Sequence, residues 1–151
     1  NLVVTDRGIG AVFKSNLIFM SSAPDQHHQV VLASGRAAAT PSMIMQLSFM
    51  VDSLDELRQV RDTALANGAE KMMELNHGNA WSIYFQDPED NRIEVYLDTP
   101  FHTPQPCGHK LDLSLSDADI LAATQKLTDE LPGSMAMQEY VDYMAGVLTR
   151  Q

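Results

Sequence analysis

Two alternating segments joined by a short turn constrain the fold of this chain more than any other feature. Residues 80–86 and residues 92–97 each alternate apolar and polar side chains, which is the two-residue period of a β-strand. Residues 87–91 between them contain Asp, Pro and Asn, and therefore indicate a chain reversal. Because apolar side chains must pair with apolar side chains across such a hairpin, Tyr84 and Glu94 are predicted to share the other face.

The sequence before the hairpin extends it into a larger unit. Ser53 and Glu56 form a capping box, which predicts a helix that begins at Leu54 and ends at an Asn-Gly pair. An alternating strand precedes this helix, and residues 69–75 indicate a short strand after it. Residues 43–98 are therefore expected to form a strand, a helix and three further strands.

The N-terminal segment is predicted to form the last three strands of a second copy of this unit. The strands are predicted at residues 2–5, 10–20 and 27–33, with turns at residues 6–8 and 21–25. The first strand and the helix of that copy have no counterpart here, and the sequence begins with Asn1 rather than methionine. We therefore expect about 30 to 35 upstream residues to complete the copy.

The C-terminal third of the chain differs in composition. Residues 99–106 are proline-rich and are predicted to run extended over the surface. Two helices are predicted beyond them, over residues 117–131 and 135–149. The second helix carries an apolar stripe that can pack against the sheet or against a second subunit, so a homodimer is expected. The predicted division is a domain of residues 1–106 and a helical extension of residues 107–151.

Composition excludes several classes of partner. The formal charge of −10 argues against nucleic acid and anionic membranes, because both attract basic surfaces. No apolar run approaches the roughly 20 residues that a membrane-spanning helix requires, and no signal-peptide pattern is present. The single cysteine, Cys107, excludes an intrachain disulfide and fits a reducing compartment, so a cytoplasmic location is expected.

The hairpin carries a motif with a family resemblance. The motif consists of His77, Ile83-Tyr84, the turn Asp87-Pro88 and Glu94. It resembles the vicinal oxygen chelate superfamily, which includes glyoxalase I, certain epimerases and bleomycin-resistance proteins, and within it most closely the extradiol ring-cleaving dioxygenases. The chain departs from that pattern at Asp90, where glycine is usual, and at Leu75.

The resemblance implies a fold and a set of metal ligands. The fold is α+β, with paired βαβββ modules that form a cupped mixed sheet, the first module truncated and the second at residues 43–98. Extradiol dioxygenases hold Fe(II) in the cup with two histidines and one glutamate. Glu94 falls on the carboxylate position, and Gln46 falls where a ring-cleaving enzyme has histidine. His27 is a candidate replacement ligand, because alternation along its strand places it on the face opposite to His28.

The resemblance also implies two catalytic residues. His77 would take the phenolic proton of a substrate or protonate an intermediate, since an imidazole titrates near neutral pH. Tyr84 would form a hydrogen bond with the substrate or with bound oxygen. Structural roles, as a loop histidine and a cross-strand tyrosine, are the alternatives.

Three functions stay open at this point. The first is an Fe(II)-dependent extradiol dioxygenase that cleaves a catechol-like aromatic. The second is a glyoxalase- or epimerase-like enzyme that uses Zn, Ni, Co or Mn for proton transfer beside a carbonyl, which Gln46 favours. The third is a protein without metal that binds a small planar ligand in the same cup.

Overall fold

The computed structural model describes residues 2–12, 14–35, 45–87 and 91–149. Its strands are β1 (Val3–Ile9), β2 (Asn16–Ser21), β3 (Val30–Ala33), β4 (Leu47–Met50), β5 (Glu70–Asn76), β6 (Ala80–Gln86), β7 (Arg92–Asp98), β8 (Phe101–His102), β9 (His109–Lys110) and β10 (Met135–Ala136). Its helices are α1 (Leu54–Ala66), α2 (Asp117–Glu130) and α3 (Met137–Leu148). The chain is therefore a mixed α+β protein, as predicted. None of the helices in the described ranges is long and apolar enough to cross a membrane.

The predicted strand–helix–three-strand unit is confirmed. Its strands form a five-stranded sheet in the order β4-β7-β6-β5-β9, in which β4 runs parallel to β7 and the other neighbours are antiparallel. Helix α1 begins as the capping box predicts, because the Ser53 hydroxyl accepts the Glu56 N–H at 3.2 Å. It ends before Gly68, whose φ of +83° lies in the left-handed region that favours glycine.

One face of the five-stranded sheet is covered by helices. Leu57 of α1 is fully buried against Ile83 and Val95, and side chains from the C-terminal segment complete this core. The core residues are Leu54, Leu57, Trp81, Ile83, Val95, Leu111, Leu113 and Ile120. Because strand side chains alternate, the neighbours of Ile83 and Val95 in sequence point to the other face.

The three N-terminal strands form a separate antiparallel sheet in the order β1-β2-β3. This is the same succession as β5-β6-β7, as expected for the last three strands of a second module. The prediction of a turn at residues 6–8 was wrong. These residues continue β1 past an irregularity between Val4 and Asp6, and the reversal lies further on, where Gly10 exchanges backbone hydrogen bonds with Lys14 and Ser15. The third strand also begins later than predicted, at Val30.

The proline-rich connection is partly buried, so the prediction that it runs over the surface was wrong. Thr103 and Gln105 are both buried, and Gly8 of β1 lies directly against Pro106. The Gln105 amide donates to the His77 carbonyl at 2.9 Å and to Asn79 Oδ1 at 3.0 Å. The connection is held inside because its side chains satisfy backbone groups of the β5–β6 turn.

Both predicted C-terminal helices are present, and the apolar stripe of the second packs within the chain. Tyr140 and Met144 of α3 are buried against Val3 of β1. Other apolar side chains stay exposed on β3 and β4, among them Leu32, Leu47, Phe49 and Met50. The boundary between residues 1–106 and 107–151 stays a prediction, as does the homodimer.

Candidate functional site

The hairpin register brings Tyr84 and Glu94 together. Tyr84 lies directly opposite Glu94 across β6 and β7, and the adjacent pair of Ile83 and Val95 faces the helices. The predicted sharing of one face is confirmed by this register. Both side chains are nevertheless buried, and Glu94 is only 9% exposed. A buried carboxylate must be hydrogen-bonded or neutral, so its partners define the site.

The parallel strand β4 supplies two donors to Glu94. Ser48 is the register partner of Glu94, and Gln46 lies two residues earlier on the same face. The Ser48 hydroxyl donates to Glu94 Oε2 at 2.6 Å, and the Gln46 amide donates to the same oxygen at 2.7 Å. Sequence reasoning missed Ser48, although its spacing of two from Gln46 on an alternating strand could have revealed it.

Tyr84 supplies the third donor. Its hydroxyl donates to Glu94 Oε1 through a short hydrogen bond. Burial, together with the charge and the hydrogen bond of Glu94, raises the pKa of Tyr84, so the phenol stays protonated. The guanidinium of Arg92 lies 4.9 Å from the centre of the Tyr84 ring, which is within cation–π distance.

His77 is fixed by the turn between β5 and β6. Its N–H donates to the Ala80 carbonyl at 2.8 Å, and the next residue, Gly78, has a φ of +77°. A Cβ atom at Gly78 would lie 2.2 Å from the Thr103 hydroxyl oxygen. Both the positive φ and this close contact therefore require glycine here. The turn thereby directs the imidazole of His77 toward the hydroxyl of Tyr84.

The two nitrogens of His77 have different partners. Nδ1 lies 2.5 Å from the Cys107 carbonyl, which can only accept, and Nε2 lies 3.0 Å from the Tyr84 hydroxyl. Burial lowers the pKa of His77, although the Cys107 carbonyl and the charge of Glu94 act in the opposite direction. A neutral His77 therefore carries its proton on Nδ1 and presents a bare Nε2 to Tyr84.

These contacts join five side chains into one polar cluster. We call Glu94, Gln46, Ser48, Tyr84 and His77 the Glu94 cluster. The single proton of Tyr84 lies between two acceptors, the Glu94 carboxylate and the bare nitrogen of His77. Such a cluster can hold an incoming hydroxyl group at the carboxylate, and the Tyr84 hydroxyl can give its proton to His77 if it receives one from that group at the same time.

His27 lies in a second group of polar side chains. Its Nε2 is 2.9 Å from Asp6 Oδ2, and its Nδ1 is 2.7 Å from Nδ1 of His28. Both ring nitrogens are thus engaged, and within the described ranges no contact joins His27 to Glu94. The predicted opposite orientation of His27 and His28 was wrong, because both residues precede β3 and strand alternation does not apply to them.

His28 is the histidine of this pair that interacts electrostatically with members of the Glu94 cluster. Burial and the charge of His27 lower the pKa of His28 to about 4, and the charges of Glu94 and His77 also act on it. Sequence reasoning gave His28 no role. No sequence signal marks it, because the two adjacent histidines differ only in how the loop after β2 turns.

The donor set around Glu94 does not fit the Fe(II) site that the resemblance implies. That site requires two imidazoles and a carboxylate, whereas Gln46 offers a neutral amide whose nitrogen faces Glu94. Among the described residues, no group of three His, Cys, Asp or Glu side chains could hold a metal ion. Both carboxylate oxygens of Glu94 already accept hydrogen bonds from protein groups.

Comparison with known proteins supports the family resemblance. The chain is 26% identical over 98 residues to biphenyl-2,3-diol 1,2-dioxygenase 2 of Rhodococcus globerulus, covering 62% of this chain and 51% of that protein. It is 26% identical over 108 residues to biphenyl-2,3-diol 1,2-dioxygenase 3 of the same organism, covering 65% and 54%. The chain thus spans about half the length of the curated relatives that it matches, and no protein-family model matches it. Together with the βαβββ-type sheet, these similarities support the resemblance to the vicinal oxygen chelate superfamily.

Proposed function

We propose that this chain forms part of a dioxygenase-like protein that binds a small catechol-like aromatic at the Glu94 cluster. The observation that carries this proposal is the contact of buried Glu94 and Tyr84 with half-buried His77, which joins a carboxylate to an imidazole through one phenol. A catechol offers hydroxyl donors to the carboxylate and a flat ring to the sheet. The names of the two relatives support the same class of ligand.

The cluster can also manage the phenolic proton of such a ligand. A ligand hydroxyl beside Tyr84 can pass its proton to the Tyr84 oxygen while the Tyr84 proton moves to Nε2 of His77. The Cys107 carbonyl then holds the resulting imidazolium at Nδ1, and Glu94 offsets its charge. In this proposal His77 acts through Tyr84 rather than by direct contact with the ligand.

A second candidate function is ring cleavage by an extradiol dioxygenase. The two relatives, both named as dioxygenases, favour it. Iron(II) would supply the oxygen chemistry in such an enzyme, and donors in addition to Glu94 would be required, since the described side chains around it do not fit the ion. A glyoxalase- or epimerase-like enzyme that uses zinc, nickel, cobalt or manganese would also require metal ligands in addition to Glu94.

Titration calorimetry with biphenyl-2,3-diol, followed by oxygen uptake with and without added Fe(II), tests both candidates. We expect binding in the wild-type protein and a loss of about tenfold in Tyr84→Phe, which removes one charge-assisted hydrogen bond at Glu94. Tyr143→Phe, an exposed tyrosine on α3, is the matched control. Absence of binding in every condition would contradict the proposal, and iron-dependent oxygen uptake would favour ring cleavage.

Self-association is a further part of the proposal. Apolar side chains on β3 and β4 are exposed, including Leu32 and Phe49, and a second copy could cover them. Light scattering after size exclusion tests for the expected homodimer. A monomer at all concentrations up to about 100 μM, where an interface of ordinary size is largely formed, would contradict it.

A further inference from the structure

Among the residues that the structure describes, three neutral groups donate hydrogen bonds to the carboxylate of Glu94. Oε2 accepts from the Gln46 amide and the Ser48 hydroxyl, and Oε1 accepts from the Tyr84 hydroxyl. Each carboxylate oxygen has two acceptor positions, so these three bonds leave one position, on Oε1, for a ligand. The carboxylate therefore has hydrogen-bond partners on both of its oxygens from the protein itself.

The orientation of the Gln46 amide follows from this arrangement. A carboxylate can only accept hydrogen bonds, so the amide nitrogen must face Glu94, and the same nitrogen lies 3.1 Å from the Ser48 hydroxyl oxygen. The amide oxygen, which is the only metal-binding atom of glutamine, is consequently directed away from the carboxylate. Glu94 and Gln46 thus form a donor–acceptor pair, and they do not form a pair of ligands.

Strand pairing positions the members of this arrangement. Ser48 and Glu94 are register partners in the parallel pair of β4 and β7, and Glu94 is itself paired with Tyr84 across β6. Two donors and the acceptor therefore lie on three adjacent strands of one sheet, and the third donor, Gln46, lies immediately before β4. A histidine at position 46 would face the same carboxylate with a ring nitrogen that can bind a metal.

We infer that Glu94 is the fixed acceptor of a metal-free site, which binds one hydroxyl group of a phenol at the open position of Oε1, and that Gln46 is the residue that keeps metal out. This inference rests on the proposed function for the identity of the ligand class. It gives Gln46 a role in specificity. Without a metal ion, the two vicinal oxygens of a catechol are not chelated, and the ligand is held by one hydrogen bond from its hydroxyl group to Glu94. A phenol with one hydroxyl group should therefore bind nearly as well as a catechol.

The first test uses Co²⁺ alone as the probe and follows its visible absorption during titration. We expect no specific binding to the wild-type protein and a gain in affinity of about tenfold or more in Gln46→His. Gln59→His, an exposed position on α1, is the control for the mere addition of an imidazole. If Gln46→His gained no more affinity for Co²⁺ than Gln59→His does, the inference would be overturned. Stoichiometric Co²⁺ binding to the wild-type protein that Glu94→Gln abolishes would also overturn it.

The second test is calorimetry with biphenyl-2,3-diol and biphenyl-2-ol in the presence of a chelator. We expect both to bind, with affinities within about tenfold of each other, because the second hydroxyl adds at most one neutral hydrogen bond. Glu94→Gln should weaken both by about ten- to a hundredfold. Binding of the diol alone, and only after metal is added, would overturn the inference while leaving the proposed function in place. No binding of either compound, with or without metal, would contradict the proposed function and would also overturn the assigned phenol site.

Discussion

Two polar clusters, one associated with each sheet, contain the same kinds of side chain and differ in how they are held. The Glu94 cluster takes its members from paired strands and the turn between them. The second, which we call the Asp6 cluster, consists of Asp6, His27, His28, His102 and Tyr140 and takes most of its members from loops and short elements. The rings of His27, His102 and Tyr140 are stacked, with His102 and Tyr140 only 3.6 Å apart between ring centres.

The difference lies in the partner of each carboxylate. Within the described ranges Glu94 accepts from neutral amide and hydroxyl groups, whereas Asp6 accepts from the imidazole of His27 and from the backbone N–H of Gln105. A carboxylate with neutral donors keeps its charge available for a ligand. The Asp6 carboxylate is occupied by groups that link β1 to the loop after β2 and to the proline-rich connection. The comparison indicates that the Glu94 cluster is suited to binding and the Asp6 cluster to joining the N-terminal sheet to the C-terminal segment.

The largest expected difference concerns the packing beneath each sheet. Leu57→Ala should lower the free energy of unfolding by about 2–5 kcal/mol, because its side chain is 0% exposed in the helix–sheet core. Leu32→Ala on β3, which is 54% exposed, should change it by less than about 0.5 kcal/mol. Urea denaturation followed by circular dichroism measures both. Equal effects would mean that the exposed face of β3 is covered in solution.

The second prediction compares the two carboxylates directly. Glu94→Gln should destabilise the protein by about 1–3 kcal/mol, because the new amide brings an N–H group among three existing donors. Asp6→Asn should cost less, since the Asp6 side chain is 24% exposed and water can replace its partners. The same urea denaturation serves for both variants. A larger loss for Asp6→Asn would reverse the ranking of the two clusters.

The third prediction concerns pH and belongs to the Asp6 cluster. Burial lowers the pKa of His102 to about 4, whereas an unfolded histidine titrates near 6.5. As the pH falls between these values, the unfolded chain binds a proton that the folded chain does not, so stability decreases. We expect a loss of about 2 kcal/mol from this residue between pH 7 and pH 5.

Urea denaturation at several pH values measures this slope. His102→Phe should flatten it while preserving the stacking on Tyr140, and His109→Gln, at an exposed position, should leave it unchanged. An unchanged slope in His102→Phe would show that other groups carry the pH dependence.

The smallest expected effect compares two serine hydroxyls. Ser48 donates to the charged oxygen of Glu94 at 2.6 Å, and Ser22 donates to the neutral amide oxygen of Gln29 at 2.8 Å. Ser48→Ala should therefore cost about 1 kcal/mol and Ser22→Ala about half of that, because charge-assisted hydrogen bonds are roughly twice as strong. Thermal unfolding resolves the difference, and an equal cost would indicate that the Glu94 carboxylate is well solvated.

The parts of the site that could be predicted from the sequence lie on regular strands. Alternation fixed the shared face of Tyr84 and Glu94, and the capping box fixed the start of α1. The loop geometry was not predictable, since the positions of His27 and His28 depend on the turn after β2 rather than on strand alternation. The burial of Gln105 was likewise not predictable, because a proline-rich sequence does not indicate which backbone groups will form hydrogen bonds with its side chains.

The pairing of β4 has a consequence for the energetics of any ligand bound at Glu94. Two of the three donors to the carboxylate lie on or beside β4, whose side chains are exposed, whereas Glu94 itself lies on a strand paired on both sides. The binding-competent state therefore includes the docking of an edge strand. The apparent dissociation constant of a ligand at Glu94 is therefore the intrinsic dissociation constant divided by the fraction of molecules in which β4 is docked. Affinity at this site is thus adjustable by substitutions on the exposed face of β4 that never touch the ligand.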